Sequence, residues 1–253
     1  GEDAAGGIEL FDAVKDPKQY TNLAAKPEFA PVVAEFKTRL AAAQESIAWI
    51  GKVCKRENLT PDGFGAQLYR AADEGDLAPE EAPMLVRTLL SAGLDTTAFT
   101  LCNAVLAFAR HPDQWALVQA NPAMARQALE EVLRFESTFH SFYRTTTKDV
   151  ELGGVALPKE QKICVFIGSA NRDPRRWERA DVFDVTRRAA GNLAFGTGIH
   201  GCAGQMLARL EGEIVLTALA KRVKTIRLEG APVHHYNNSV RGYDSLPISV
   251  TAA

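Results

Sequence analysis

The 253-residue chain lacks an excess of either charge: 29 Lys and Arg against 31 Asp and Glu leave a net −2, which excludes a general electrostatic grip on nucleic acid. Cysteine is scarce and scattered. Cys54, Cys102, Cys164 and Cys202 lie far apart with no CxxC pair, so neither a structural zinc site nor a disulfide framework is indicated, and a reducing, cytoplasmic setting is expected. No apolar run reaches the length of a membrane span and nothing at the N-terminus has the form of a signal peptide, so no membrane partner is expected. A glycine-rich nicotinamide or flavin fingerprint is also missing, so any electrons the protein uses come from another protein. Two glycosylation sequons, Asn58-Leu59-Thr60 and Asn237-Asn238-Ser239, carry no meaning in that compartment.

Against these absences stands 46% apolar content, enough for one large or two ordinary domains. Residues 1–30 are rich in Gly, Asp and Pro and read as loop, with a short helix around Leu10 to Val14. Helical spacing of apolar residues then predicts a helix from Pro31 to about Asn58 and another from Pro61 to Asp73, each with a packing face. Pro79 opens the longest helical pattern, which runs to Arg110 before His111-Pro112 stops it. At 1.5 Å per residue it is roughly 45 Å long, and because it is apolar nearly all round it is expected to be central and buried. Helices over Pro112–Asn121 and Pro122–Phe135 follow, then short strands at Phe142–Thr146, Val150–Leu152, Val155–Leu157 and Ile163–Phe166, with Gly153-Gly154 as a hairpin turn. A helix from Gly204 to Arg222 and strands at Val223–Leu228 and Pro247–Thr251 complete the reading, a mainly α fold with small β-sheets.

One stretch organises the rest: Phe195-Gly196-Thr197-Gly198-Ile199-His200-Gly201-Cys202-Ala203-Gly204. Its glycines allow positive φ and close backbone approach, so the loop can wrap a flat ligand while aiming Cys202 at it. The helix that follows would hold the sulfur as a thiolate, the form that binds metal. A single cysteine before a helix is, taken alone, a small buried hydrophobe. A second anomaly lies inside the long apolar helix, where Asp95-Thr96-Thr97 interrupts the apolar pattern. Buried polar groups there need a partner or a function. The threonines can bond back to carbonyls one turn earlier, which would account for them structurally. Glu131 and Arg134 lie three apart on one helical face, a spacing that by itself usually marks a solvated pair.

The spacing of Phe195, Gly198, Cys202 and Gly204 resembles the haem-binding loop of cytochromes P450, and Ala92-Gly93-Leu94-Asp95-Thr96-Thr97 resembles the oxygen-activation segment of the same family. Glu131-x-x-Arg134 resembles its ExxR motif. The resemblance implies the P450 fold, with an N-terminal part of it absent and residues 1–253 forming a partial, single haem domain. It implies haem b with Cys202 as axial ligand and Phe195, Gly196, Gly198 and Gly204 around it. Arg144 and His200 would bind the propionates. Gly93 would leave room for O2, Thr96 would offer a hydroxyl and Asp95 would relay protons. Glu131, Arg134 and Arg187 would form a buried cluster fixing the irregular segment beneath the haem. Without the surrounding motif, His200 reads as a satisfied loop residue.

The stretches LLSAGLDTT, RTTTKDVEL, SANRDPRRW, ARLEGE and SLPI resemble bacterial P450s that oxidise para-substituted benzoates. The pocket residues this implies are Thr88, Ser91, Ala92, Phe139, Phe142 and Tyr243. The implied partners are a small aromatic substrate, O2, and a [2Fe-2S] ferredoxin with its reductase. Arg175, Arg176, Arg179, Arg187 and Arg188 either form a solvated face or help attract an acidic electron donor.

Overall fold

The computed structural model describes residues 26–253, so the helix read around Leu10 to Val14 lies outside the described residues. The chain divides into two units, 1–90 and 91–253, with the boundary inside one helix.

In the first unit, α1 spans Ala30–Val53 and α2 spans Phe64–Asp73, followed by the opening turns of α3, Glu81–Arg110. Both proline-led starts fall later than the sequence suggested: α2 begins at Phe64 after Gly63, and α3 at Glu81 rather than Pro79. Between α1 and α2 the chain is pinned by polar contacts. Tyr69 donates to the Cys54 carbonyl at 3.2 Å, Arg70 to that of Pro61 at 2.7 Å, and Arg56 pairs with Asp73. The packing faces expected of α1 and α2 are only partly realised, since Ile47 and Phe64 are 61% and 72% exposed. Buried side chains in this unit are few, Cys54, Ala82 and Val86 among them.

The second unit holds the core. From Asn103 to Phe108, α3 is enclosed by α4, Pro112–Ala120, α5, Ala125–Glu136, and α7, Gln205–Arg222. Phe108 centres this cluster, its ring 4.9 Å from Trp115 and 5.7 Å, edge-on, from Phe183. Where α5 crosses α7 the helices approach so closely that a β-carbon on Gly212 would fall 2.6 Å from Leu129 Cδ2. Each sheet is a two-stranded antiparallel pair. Strand β1, Phe142–Thr145, pairs with β4, Lys162–Val165, placing Arg144 opposite Ile163. Strands β2, Val150–Leu152, and β3, Val155–Leu157, form the expected hairpin, in which Gly153 and Gly154 both take positive φ, 59° and 80°, as a tight two-residue turn requires. After the four-residue helix α6, Ile167–Ala170, the chain is irregular as far as α7 except for a 3-10 turn at Gly198–His200. Strand β5, Val223–Leu228, pairs with β8, Ile248–Ala252, and β6, Val233–His234, pairs with β7, Tyr243–Ser245.

The long helix departs from expectation. Apart from Ala82 and Val86 in its opening turns, its buried residues lie in the last third; Leu89 and Leu94 are 41% and 52% exposed, and Ser91 to Asp95 lie at the surface. An all-round apolar pattern reports which faces favour burial, whereas within residues 91–253 neighbours enclose this helix only from Asn103 onward. By length and composition α3 is also long and apolar enough to cross a membrane, which corrects the reading that no stretch is. Its C-terminal third belongs instead to the protein core.

Candidate functional site

A cavity of about 300 Å³ in the second unit draws on α3, α5, β1 and the cysteine loop. Its lining is mostly apolar and includes Leu101, Leu129, Phe139, Phe142, Phe195 and Ala208, with Cys202, Thr96, Arg144 and His200 as its chemically distinctive members. These four were singled out in the sequence from three separate stretches.

The loop before α7 is shaped by two left-handed glycines. Gly196 has φ 66° and Gly198 φ 64°, and a β-carbon at Gly196 would press on the His200 carbonyl oxygen at 3.1 Å. Gly204, with φ −85°, has ordinary backbone. The loop is closed by the Cys202 N–H, which donates to the Phe195 carbonyl at 2.8 Å. Cys202 is exposed and sits three residues before α7, whose first residue is Gln205. Arg144 on β1 gives one N–H to the neighbouring Tyr143 carbonyl at 2.8 Å, and its other N–H groups bond nothing among the described residues. Phe139 and Phe142 stack with centroids 4.7 Å apart and planes 26° apart, forming a flat apolar wall.

On α3, Thr96 lines the cavity while its hydroxyl donates to the Ala92 carbonyl at 2.9 Å. Asp95 and Gly93 lie on the exposed part of the helix and do not line the cavity; a β-carbon on Gly93 would meet nothing within 4 Å. Ser91 and Ala92 also fall outside the cavity lining, and in the first unit the Thr88 hydroxyl donates to the Met84 carbonyl at 2.8 Å. Tyr243 is only 5% exposed, with its ring 4.6 Å from that of His234 instead of in the cavity. No sequence motif pointed to Thr100 and Thr138, which share a 2.8 Å hydrogen bond in the cavity wall; a pairing 38 residues apart has no local signature.

Behind the cavity Glu131, Arg134 and Arg187 meet. Arg134, fully buried, uses all five of its N–H groups: two on Glu131 at 2.8 Å each, and three on the carbonyls of Asn171, Ala180 and Val182. Glu131 also accepts the Asp184 N–H at 2.9 Å and Arg187 Nε at 3.2 Å. Arg187 reaches onward to the Glu178 and Arg179 carbonyls. One ion-pair cluster therefore ties α5 to the irregular segment around residues 171–187. Nearby Asp184 is held below the usual carboxylate range: burial works against ionisation there, but hydrogen bonds from Thr186 and the charges of Arg179 and Arg187 outweigh it.

The arginine-rich stretch is less free than its sequence suggests. Arg175 is clamped on Asp173, Arg179 pairs with Asp184 at 3.6 Å, Arg187 is in the buried cluster, and Arg176 lies over the Trp177 ring at 4.6 Å. Arg188 is the member of that set with no partner among the described residues.

A soft sulfur donor facing an apolar slot, with a guanidinium and an imidazole at its edge, suits a flat apolar group that carries a metal and peripheral carboxylates. Comparison with known proteins agrees with this chemistry. The sequence profile of the family Cytochrome P450 matches residues 55–226. The chain is similar to Cytochrome p450 CYP199A2 of Rhodopseudomonas palustris, 51% identical over 206 residues that cover 81% of this chain and 50% of that protein. It is also similar to 6-deoxyerythronolide B hydroxylase of Saccharopolyspora erythraea, 36% identical, with 82% and 53% covered. Among solved structures, the tirandamycin C-bound P450 monooxygenase TamI superposes with a TM-score of 0.76 at 33% identity, covering 83% of this chain and 54% of that one. The chain thus spans about half the length of the curated relatives it matches, and on the strength of the profile and these identities it belongs to the cytochrome P450 family.

Proposed function

We propose that the chain is part of the haem domain of a haem-thiolate monooxygenase, acting in the cytoplasm on a small organic substrate. The observation that carries this reading is the convergence of Cys202, Thr96, Arg144 and His200 on one apolar cavity. Proteins of this family bind haem b, which supplies O2 binding and oxygen transfer when present. The residues here fit it: Cys202 offers the sulfur, Arg144 has uncommitted N–H groups for a propionate, His200 stands at the cavity rim, and the Gly196 and Gly198 turns let the backbone lie flat against a planar group. The net reaction converts R–H, O2, two electrons and two protons into R–OH and water. Asp95, exposed to solvent, takes up protons, and the Thr96 hydroxyl, which lines the cavity, passes them inward by exchanging its bond to the Ala92 carbonyl.

The electrons would come from a [2Fe-2S] ferredoxin and its reductase. A para-substituted benzoate is the substrate favoured by the sequence resemblance, with hydroxylation or O-demethylation as the reaction. The stacked Phe139 and Phe142 suit a flat ring. A second reading, a chain that catalyses nothing and at most binds haem, draws on the exposure of Ser91 to Asp95, the stretch that would have to relay protons.

The carbon monoxide difference spectrum of the reduced, haem-loaded chain tests the proposal. The parent is expected to show the red-shifted Soret band of sulfur ligation and Cys202→Ala to lose it. A Cys202→Ala variant that kept this band would overturn the assignment. A parent that binds haem and shows the band without oxidising 4-methoxybenzoate in the presence of donors would favour the second reading.

A further inference from the structure

Beside the buried cluster runs a second acid–arginine device that lies outside the ExxR motif. Glu130, the neighbour of Glu131 on α5, turns toward the cysteine loop, where its Oε1 meets Arg209 Nε of α7 at 2.5 Å and its Oε2 accepts Asn192 Nδ2 at 3.0 Å. Asn192 Oδ1 in turn accepts the Ala194 N–H at 3.1 Å. Arg209 also donates to Gln205 Oε1 at 2.8 Å, and its guanidinium lies over the Phe195 ring, 4.5 Å from the centroid. Phe195 lines the cavity and Arg209 does not, so the cation meets the ring from behind the cavity wall. The two charged side chains are 19% and 17% exposed, well below ordinary surface pairs. Phe195 is also the residue whose carbonyl accepts the Cys202 N–H, so wherever Phe195 is held, Cys202 is held.

We propose that Arg209 is a positioning residue: together with Glu130 and Asn192 it fixes Phe195, and through Phe195 the backbone that presents the Cys202 sulfur to the cavity. The role needs arginine specifically, because only a planar fork can bind Glu130 and Gln205 in its plane while covering an aromatic ring with its face. It rests on the reading that this loop carries the cofactor, but the mechanical part can be read without cofactor.

In the full chain without added haem, amide hydrogen exchange at Ala194 and Cys202 should speed up on the order of tenfold in Arg209→Leu, with core amides such as Leu216 unchanged. Arg209→Lys, which keeps the charge and loses fork and face, should exchange nearly as fast as Arg209→Leu. Parent-like exchange at Ala194 and Cys202, or equal acceleration of core amides, would overturn the proposal, the latter showing loss of overall stability only. In the haem-loaded chain, the carbon monoxide Soret band of Arg209→Leu should shift or broaden relative to the parent, and an unchanged band would refute the link to the sulfur. If the parent itself takes up no haem, the cofactor reading fails for this chain while the exchange result still decides the positioning role.

Discussion

Two regions of the second unit, a base of buried charge around α5 and an exposed rim made by the cysteine loop and the adjoining part of α3, are built on opposite terms. At the base, Glu131 and Arg134 are completely buried, with every N–H of Arg134 paired. At the rim, Cys202, His200 and Gly198 are exposed, Ile199 is 99% exposed, and the Asp95 end of the oxygen-activation segment is open. Residues expected to hold the chain together are enclosed by the chain, while Arg144, His200 and Cys202, expected to meet a ligand, stay accessible. Buried charges tolerate no loss of a partner, and exposed ones tolerate much, so substitutions in the two regions should separate clearly. Arg134→Met should cost on the order of 3–5 kcal/mol in urea unfolding, because it leaves a buried carboxylate with Arg187 as its one remaining cation and removes the partner of three carbonyls. Adding Glu131→Gln should recover part of that loss. A cost below about 1 kcal/mol would place the cluster with ordinary surface pairs and erase the contrast.

The rim has a smaller internal contrast that sharpens the comparison. Gly196→Ala forces a side chain into left-handed backbone at φ 66° and against the His200 carbonyl at 3.1 Å, while Gly204→Ala enters ordinary backbone with Cys202 Sγ 3.9 Å away. The first should lower stability by about 1–2 kcal/mol and the second by about 0.5 kcal/mol or less, read from the same unfolding curves. Equal costs would mean the rim is held by something other than its turn geometry.

Much of this was legible in the sequence because it is local. The strands at Val150–Leu152, Val155–Leu157 and Val223–Leu228, the hairpin at Gly153-Gly154 and the stop at His111-Pro112 all follow from short-range pattern, and the structure has them. The meeting of Glu131, Arg134 and Arg187 was legible only because the spacing and order of motifs resemble a family; charge spacing alone would have placed the first two on a solvated face. What stayed hidden is long-range. Leu129 against Gly212, Arg209 over Phe195 and Thr100 with Thr138 join positions that nothing in a single sequence links. The exposure of α3 was misread for the same reason, since hydrophobic pattern reports a preference for burial and not the neighbours that provide it.

The smallest expected effect lies on the arginine-rich segment, between base and rim. Asp173 accepts hydrogen bonds from the Arg175 side chain and from its backbone N–H at 2.9 Å, and these lower its pKa from 3.8 to about 2. A folded pKa below the unfolded one means that protons bind the unfolded chain more readily. The contribution is therefore complete above about pH 4 and is lost as pH falls toward 2. Asp173→Asn should remove that slope, so that parent and variant unfolding midpoints differ at pH 5 and converge as the pH approaches 2. Because the pair is open to water, the gap should be small and should shrink further in 1 M salt. If the gap persists undiminished in salt, Asp173 belongs with the enclosed charges of the base, and the division between base and rim would have to be redrawn to include this loop.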